Sequence, residues 1–349
     1  ILSIRHFEVG SMTKKEVCKI IGFLAVLLMA LYGCSLICFR NLRGFNDHED
    51  FYNCEQDTVD VIFVGGSMSY SGFSPMELYE KYGISSYNFG TSNQSMLAGY
   101  LWAMEACEKQ NVKVVIVEAM EVPMSHGEVA TDVRSLFSMG MNENYRKLAG
   151  VYKRNALNVL LPVFILHDEW RIDGDTFRDE AEEDYLRGFV PIDSCAGEEY
   201  RESILQEDPE ATTYLNFTYV DKLREYCEEK GIWLIFVKTL MASNEVNHWD
   251  DGCHNRLQEY TEEYGIPFID FNTAEYRNAA GLVISEDVAA DLRHMNIDGA
   301  YKATDYLGEY LLDHYGSVLR QWQDPGLDTQ TLEGYHRIME GYHRGLDEF

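Results

Sequence analysis

The chain has 349 residues, 46% of them hydrophobic, enough to bury a large core, and its length permits one big domain or two ordinary ones. Asp and Glu outnumber Lys and Arg 58 to 29, a formal charge of minus 29. That excess argues against nucleic acid, and any other polyanion needs a local basic patch to override the field.

The first predicted element is a membrane segment. Residues 20 to 39, "IIGFLAVLLMALYGCSLICF", carry no charge over a length that crosses the hydrocarbon core of a bilayer. Arg5, Lys14, Lys15 and Lys19 precede it and only Arg40 and Arg43 follow closely, so residues 1–19 are expected in the cytoplasm and the rest of the chain outside. Met12 makes a compact basic start, and residues 1–11 are expected to lie outside the natural protein. Two alternatives stay open: a cleaved signal peptide, and a lipoprotein, since "LYGC" at 31 to 34 resembles a lipobox apart from Tyr32. All three place the main domain outside the cytoplasm.

After a polar linker (40–58), "VDVIFV" (59–64) reads as a buried strand ending in Gly65-Gly66, and "SPMELYEKYG" (74–83) as a helix capped by Ser74 with Pro75 in its first turn. A second strand (84–90), a helix (92–110) and a third strand (112–120) come next. The βαβαβ order calls for a parallel sheet with right-handed crossovers. Residues 122–214 break the rhythm with acidic, aromatic-rich pieces and read as a long insertion, helical in parts, that forms a cap or wall over the site. The alternation then resumes with a helix (219–231), a strand (232–238), a helix near 251–264, a strand (267–271) and a last helix (298–316), giving five strands. The tail (317–349) holds "EGYHRIMEGYHR", whose His336 and His343 share one face of an amphipathic surface helix.

Eight cysteines show no CxxC pair, and five of them lie beyond the membrane segment. Neither a disulfide framework nor a zinc ribbon is indicated, although one or two bridges remain open. "NHWDDGCH" (247–254) gathers His248, Asp250, Asp251, Cys253 and His254; a helix amino terminus rich in Asp explains it more simply than a metal site. "HDEW" presents His167 and Trp170 either to a sugar or to helix packing.

The chemistry concentrates in two places. Glycines after a buried strand display the next residues at the strand's carboxyl end, where open α/β sheets bind ligands, and Ser67 stands there. "DVAADLRHMNIDGA" (287–300) places Asp291 three residues before His294, so the carboxylate can hold one imidazole nitrogen and leave the other facing a nucleophile. A serine hydroxyl needs such a base, which gives His294 a task. Against this stand a plain serine-rich turn, a capping or Arg293-paired Asp291, and Gly90 as strand-end punctuation.

These residues resemble the SGNH/GDSL hydrolases, whose fold is a flavodoxin-like three-layer α/β/α domain. Gly65-Gly66-Ser67-Met68-Ser69 is similar to the first block, with Gly66 where Asp is common. Gly90 in "YNFGTSNQS" matches the second-block glycine, and Asp291, His294 and Asn296-Ile-Asp-Gly299 match the final DxxH block with its HxNxxG continuation. The third block departs, with Glu118-Ala119-Met120-Glu121 in place of GxND. The resemblance covers roughly residues 59–120 and 215–316 and implies an SGNH-like domain over 59–316. It implies that Ser67 is the nucleophile, His294 the base and Asp291 its orienter, that the N–H groups of Ser67 and Gly90 hold the oxyanion with Asn93 as a substitute third donor, and that no metal or cofactor takes part. With the membrane segment, it points to the branch of teichoic-acid D-alanylation and alginate-acetylation proteins. The expected activity is acyl ester transfer or hydrolysis on a cell-surface glycan or envelope polymer beside a membrane-bound O-acyltransferase. A non-catalytic module that binds glycan or docks such a transferase is the competing reading; a lipase-like esterase would want a more apolar lid than the insertion offers.

Overall fold

The computed structural model describes residues 13–41, 48–167, 185–197, 215–242, 248–320 and 329–346. Helix α1 (Lys14–Asn41) leads. It is followed by β1 (Val61–Val64), α2 (Ser67–Gly72), α3 (Pro75–Tyr82), β2 (Ser86–Asn88), α4 (Met96–Lys109) and β3 (Val114–Glu118). Three helices, α5 (Val129–Ser135), α6 (Glu143–Val151) and α7 (Ala156–Leu160), precede α8 (Thr218–Lys230), β4 (Trp233–Lys238), α9 (His248–Tyr264) and β5 (Phe268–Asp270). Short helices α10 (Ala274–Ala279) and α11 (Ile284–Asp287), the long α12 (Ile297–Tyr315) and α13 (Thr329–Leu346) complete the chain.

The sheet order is β2-β1-β3-β4-β5 with every pairing parallel. This is the flavodoxin-like doubly wound order, in which the chain reverses direction across the sheet between β1 and β3 and leaves a crevice at their carboxyl ends. Side chains alternate across the sheet and both faces are covered, so the strands read as continuous apolar runs. Ile62, Val64, Val115, Val117 and Phe236 pack on one face with Leu97, Leu101 and Trp102 of α4 and Leu223 of α8. Val61, Phe63, Val114, Ile116 and Val237 pack on the other with Leu78 of α3 and Ala303, Leu307 and Leu311 of α12.

All five strands fall inside their predicted stretches, and Ser74 caps α3 by accepting the Glu77 N–H at 3.3 Å. Helix α2 was not foreseen. The segment read as a linker packs partly into the core: His48 is 1% exposed and Phe51 likewise 1%. The far end of α1 is also built in. Ser35, Cys38 and Phe39 are buried, and the Phe39 ring lies 6.3 Å from Phe137 and 6.1 Å from Tyr145. Residues 14–30 of the same helix are exposed throughout, and its stretch Lys14–Phe39 is long and apolar enough to cross a membrane.

The described parts of the predicted insertion divide in two. Helices α5, α6 and α7 form a layer against α4, tied by the Trp102 Nε1 bond to the Ser135 carbonyl at 2.8 Å. Residues 185–197 run past the carboxyl side of the sheet instead. Helix α13 covers α3 through Tyr335 and Met339, which join Met76, Tyr79 and Ile297 in a third apolar cluster. No disulfide joins any of the cysteines among the described residues.

Candidate active site

Ser67 opens α2 immediately after the turn that leaves β1. Gly65 makes that turn with φ 152°, and an added Cβ would stand 2.7 Å from the Glu118 Cβ, so only glycine lets β1 and β3 end this close together. Ser67 sits in the first turn of α2, where backbone N–H groups lack intrahelical partners.

His294 and Asp291 arrive on a tight loop before α12. Leu292 takes a left-handed φ of 66°, Val288 and Met295 close the loop as an antiparallel bridge, and the Leu292 carbonyl accepts the Ala242 N–H at 2.9 Å. Asp291 Oδ1 accepts the N–H groups of Arg293 at 2.9 Å and His294 at 3.0 Å. Its Oδ2 accepts from His294 Nδ1 at 2.5 Å, and His294 Nε2 faces Ser67 Oγ at 2.7 Å. The sequence-predicted Ser67, His294 and Asp291 therefore form one hydrogen-bonded row, with Nδ1 donating to the carboxylate and Nε2 accepting the serine proton. Burial acts to raise the Asp291 carboxyl, but bonds from the His294 and Arg293 backbone and from the imidazole outweigh it, so the group is held below its usual range. Ionised Asp291 keeps the imidazole in the tautomer whose free nitrogen accepts.

The predicted Gly90 donor is placed differently. Its N–H donates to Asn88 Oδ1 at 3.0 Å rather than pointing at open space. Asn88 is the reason: its Nδ2 donates to the carbonyls of Ser69 at 2.8 Å and Phe73 at 3.1 Å, which leaves Oδ1 as an acceptor for Gly90 and for Ser69 Oγ at 3.0 Å. Asn88 thus locks α2, and Ser67 with it, to the end of β2. Gly90 permits that approach, because a Cβ there would meet the Tyr70 nitrogen at 2.7 Å. Asn93 is exposed, in a left-handed conformation with φ 52°, which Asn tolerates well.

Tyr70 escaped the sequence reading. It is three residues after Ser67 and so shares its helix face, the signal that could have found it. Its hydroxyl lies 3.4 Å from Ser92 Oγ and stands beside the Ser67 hydroxyl. Burial raises its phenol above the ordinary value, Asp291 adding to the rise and the two serine hydroxyls opposing it, so it remains a proton donor. Where the third-block donor would be expected, Glu118 is 1% exposed and accepts from the Met120 N–H at 3.1 Å and the Thr239 hydroxyl at 3.2 Å. In both bonds Glu118 is the acceptor.

The 185–197 stretch forms one wall. The Val190 N–H donates to the Tyr70 carbonyl at 2.8 Å, Ser194 Oγ accepts the Ala290 N–H at 3.2 Å, and the Ile192 carbonyl accepts the Ile297 N–H at 2.9 Å. Asn296 caps α12 through the Gly299 N–H at 3.0 Å, giving the HxNxxG pattern a structural role. Away from the site, His254 Nδ1 lies 2.5 Å from Asp270 Oδ2, while the side chains of His248, Asp250 and Asp251 lie outside the described residues, as does Trp170. His167 is exposed.

No protein-family model matches the chain, and neither does any curated protein. Solved structures do. A GDSL-like lipase from Bacteroides thetaiotaomicron is 12% identical with a TM-score of 0.38, the match covering 80% of this chain and 100% of that one. A lipase/acylhydrolase from Enterococcus faecalis is 11% identical with a TM-score of 0.35, covering 76% and 100%. A two-domain esterase active on acetylated mannans is 12% identical with a TM-score of 0.36, covering 83% of this chain and 58% of that one.

Proposed function

We propose that the protein is a serine-dependent acyl ester hydrolase or transferase of the SGNH type. The observation that carries this reading is the Ser67–His294–Asp291 row at the carboxyl end of β1. Ser67 Oγ attacks the acyl carbonyl as its proton passes to His294 Nε2; the new O–C bond forms, the ester C–O bond breaks, and His294 returns the proton to the departing alkoxide. Water then releases the acid, or an acceptor hydroxyl takes the acyl group, by the same route in reverse. Asp291 orients the imidazole and stabilises its charged form. The Ser67 N–H and the Tyr70 hydroxyl stand ready for the oxyanion, with Asn93 on the loop that Ser92 joins to Tyr70; Gly90 contributes close approach rather than its N–H. No step needs a metal or organic cofactor.

The finer reading places this chemistry outside the cytoplasm, anchored by α1, with a cell-surface glycan or other envelope polymer as acceptor or substrate and a membrane-bound O-acyltransferase as partner. It is the branch of the teichoic-acid D-alanylation and alginate-acetylation proteins that combines these features. Glu118 in place of the third-block asparagine favours a second reading, a non-catalytic module that keeps the scaffold.

A fluorophosphonate probe applied to the detergent-solubilised full chain separates the two. One covalent adduct on the wild type, absent from Ser67→Ala and His294→Ala, is the expected outcome. A folded wild type that takes no adduct would sink the catalytic reading and favour the binding module.

A further inference from the structure

Residues 144–167, "NYRKLAGVYKRNALNVLLPVFILH", contain four Lys or Arg and no Asp or Glu, in a chain whose acids outnumber its bases twofold. The same stretch exposes large apolar side chains: Leu157 at 59% and Leu160 at 41% on α7, and Phe164 at 45% on the turn after it. Arg146, Lys153 and Arg154 are exposed beside them. An exposed apolar stripe flanked by cations is the composition of a surface that lies in a lipid interface.

Its position relative to α1 supplies an independent argument. The Val163 N–H donates to Ser35 Oγ at 3.2 Å, so the 3-10 turn Pro162–Phe164 is fastened to α1 at the level of Ser35. From Lys19 to Ser35 an α-helix rises roughly 24 Å at about 1.5 Å per residue, short of the ~30 Å hydrocarbon core. Counting from Lys15 brings Ser35 to the far boundary itself. Whichever lysine marks the near side, a spanning α1 carries Phe164 to the outer edge of the acyl chains.

We infer that α7 and the turn after it form a platform seated in the outer leaflet, with Leu157, Leu160 and Phe164 in the acyl boundary and Lys153 and Arg154 against anionic phospholipid headgroups. The inference rests on α1 spanning the bilayer and is independent of the chemistry at Ser67. The platform would hold the domain at one fixed height and orientation rather than on a loose tether. It also supplies the local basic patch that a polyanionic surface requires of so acidic a protein.

The test uses the full chain in nanodiscs of phosphatidylcholine with and without phosphatidylglycerol. The photoreactive residue p-benzoylphenylalanine replaces Leu157, Leu160 or Phe164 in turn, Leu24 as a marker of the span, or Val283 and Val318 as exposed apolar positions elsewhere. Lipid adducts at Leu24, Leu157, Leu160 and Phe164 but not at Val283 or Val318 are expected. The paired substitution Lys153→Glu and Arg154→Glu should cut the phosphatidylglycerol-dependent adduct roughly fivefold per charge reversed. Adducts at Leu24 alone overturn the platform and leave the span; none at any position overturns both; a crosslinked pair of chains at Leu157 assigns the stripe to a second copy and overturns the inference. Fluorophosphonate labelling of the same nanodiscs reports on Ser67 separately.

Discussion

Tyr70 and His48 are side chains whose surroundings change what they do. Tyr70 keeps its proton because it is buried, and it stands beside Ser67, so under the proposed mechanism it can donate to charge developing there. Removing one such donor costs on the order of 100-fold where donors are few. Tyr70→Phe should therefore lower kcat by roughly 10- to 100-fold with KM nearly unchanged, measured on any chromogenic ester the wild type hydrolyses. An unchanged kcat would remove Tyr70 from the chemistry. His48 is enclosed by the rings of Tyr87, Phe89 and Trp102, and burial depresses its pKa to about 3. Above pH 6.5 both folded and unfolded forms are neutral. Below it the unfolded chain takes up a proton that the folded chain refuses, so stability falls as pH falls, by on the order of 2 kcal/mol between pH 6.5 and 5. His48→Phe should flatten that part of the profile in urea unfolding at pH 7 and pH 5; an equally steep decline in the variant would assign the loss to other groups.

At the scale of elements, the strands were legible because a parallel strand covered on both faces must be apolar along its whole length, as "VVIV" at 114 to 117 is. Ser74 with Pro75 announced α3 by local capping alone. The helix that carries Ser67 was not legible, since "SMSYSG" combines poor helix formers and is held by tertiary bonds from Asn88, 15 to 19 residues away. The Gly90 donor was misplaced for the same reason: which way the Asn88 amide points is settled by carbonyls on another element. Asp291 and His294 were legible because they sit on one loop and the geometry between them is local. The join between β1 and the end of the chain's α/β part was likewise hidden. Asp60, at 0% exposure, accepts from Arg320 Nε at 2.9 Å and from the Arg320 N–H at 3.2 Å. Arg320→Ala should cost about 2 kcal/mol, less than breaking a fully buried pair, because Arg320 is partly exposed and its own N–H remains. Matching urea midpoints for variant and wild type would show that the pair contributes nothing.

Across the whole molecule, α1 has two environments, and stability and placement both follow from where one gives way to the other. Its first half is exposed; further along, Ser35, Cys38 and Phe39 are packed into the domain. A helix joined to the domain by a free linker could be cut anywhere without consequence, whereas α1 cannot. Phe39, 7% exposed between Phe137 and Tyr145, and Cys38, fully buried, together remove apolar surface that stabilises the fold by about 3 kcal/mol. A soluble form starting at Leu31 should therefore unfold at higher urea concentration than one starting at residue 42, with the same slope against denaturant apart from the small difference in buried area. The shorter form should also expose the Phe137 and Tyr145 rings and bind a hydrophobic dye. If the two forms share one midpoint, the end of α1 is not part of the core, and the depth at which Ser35 holds the turn at Val163 would lose its foundation. If they differ as expected, the end of α1 and the α/β domain are one structural unit, and Ser67 is held at a fixed place relative to α1.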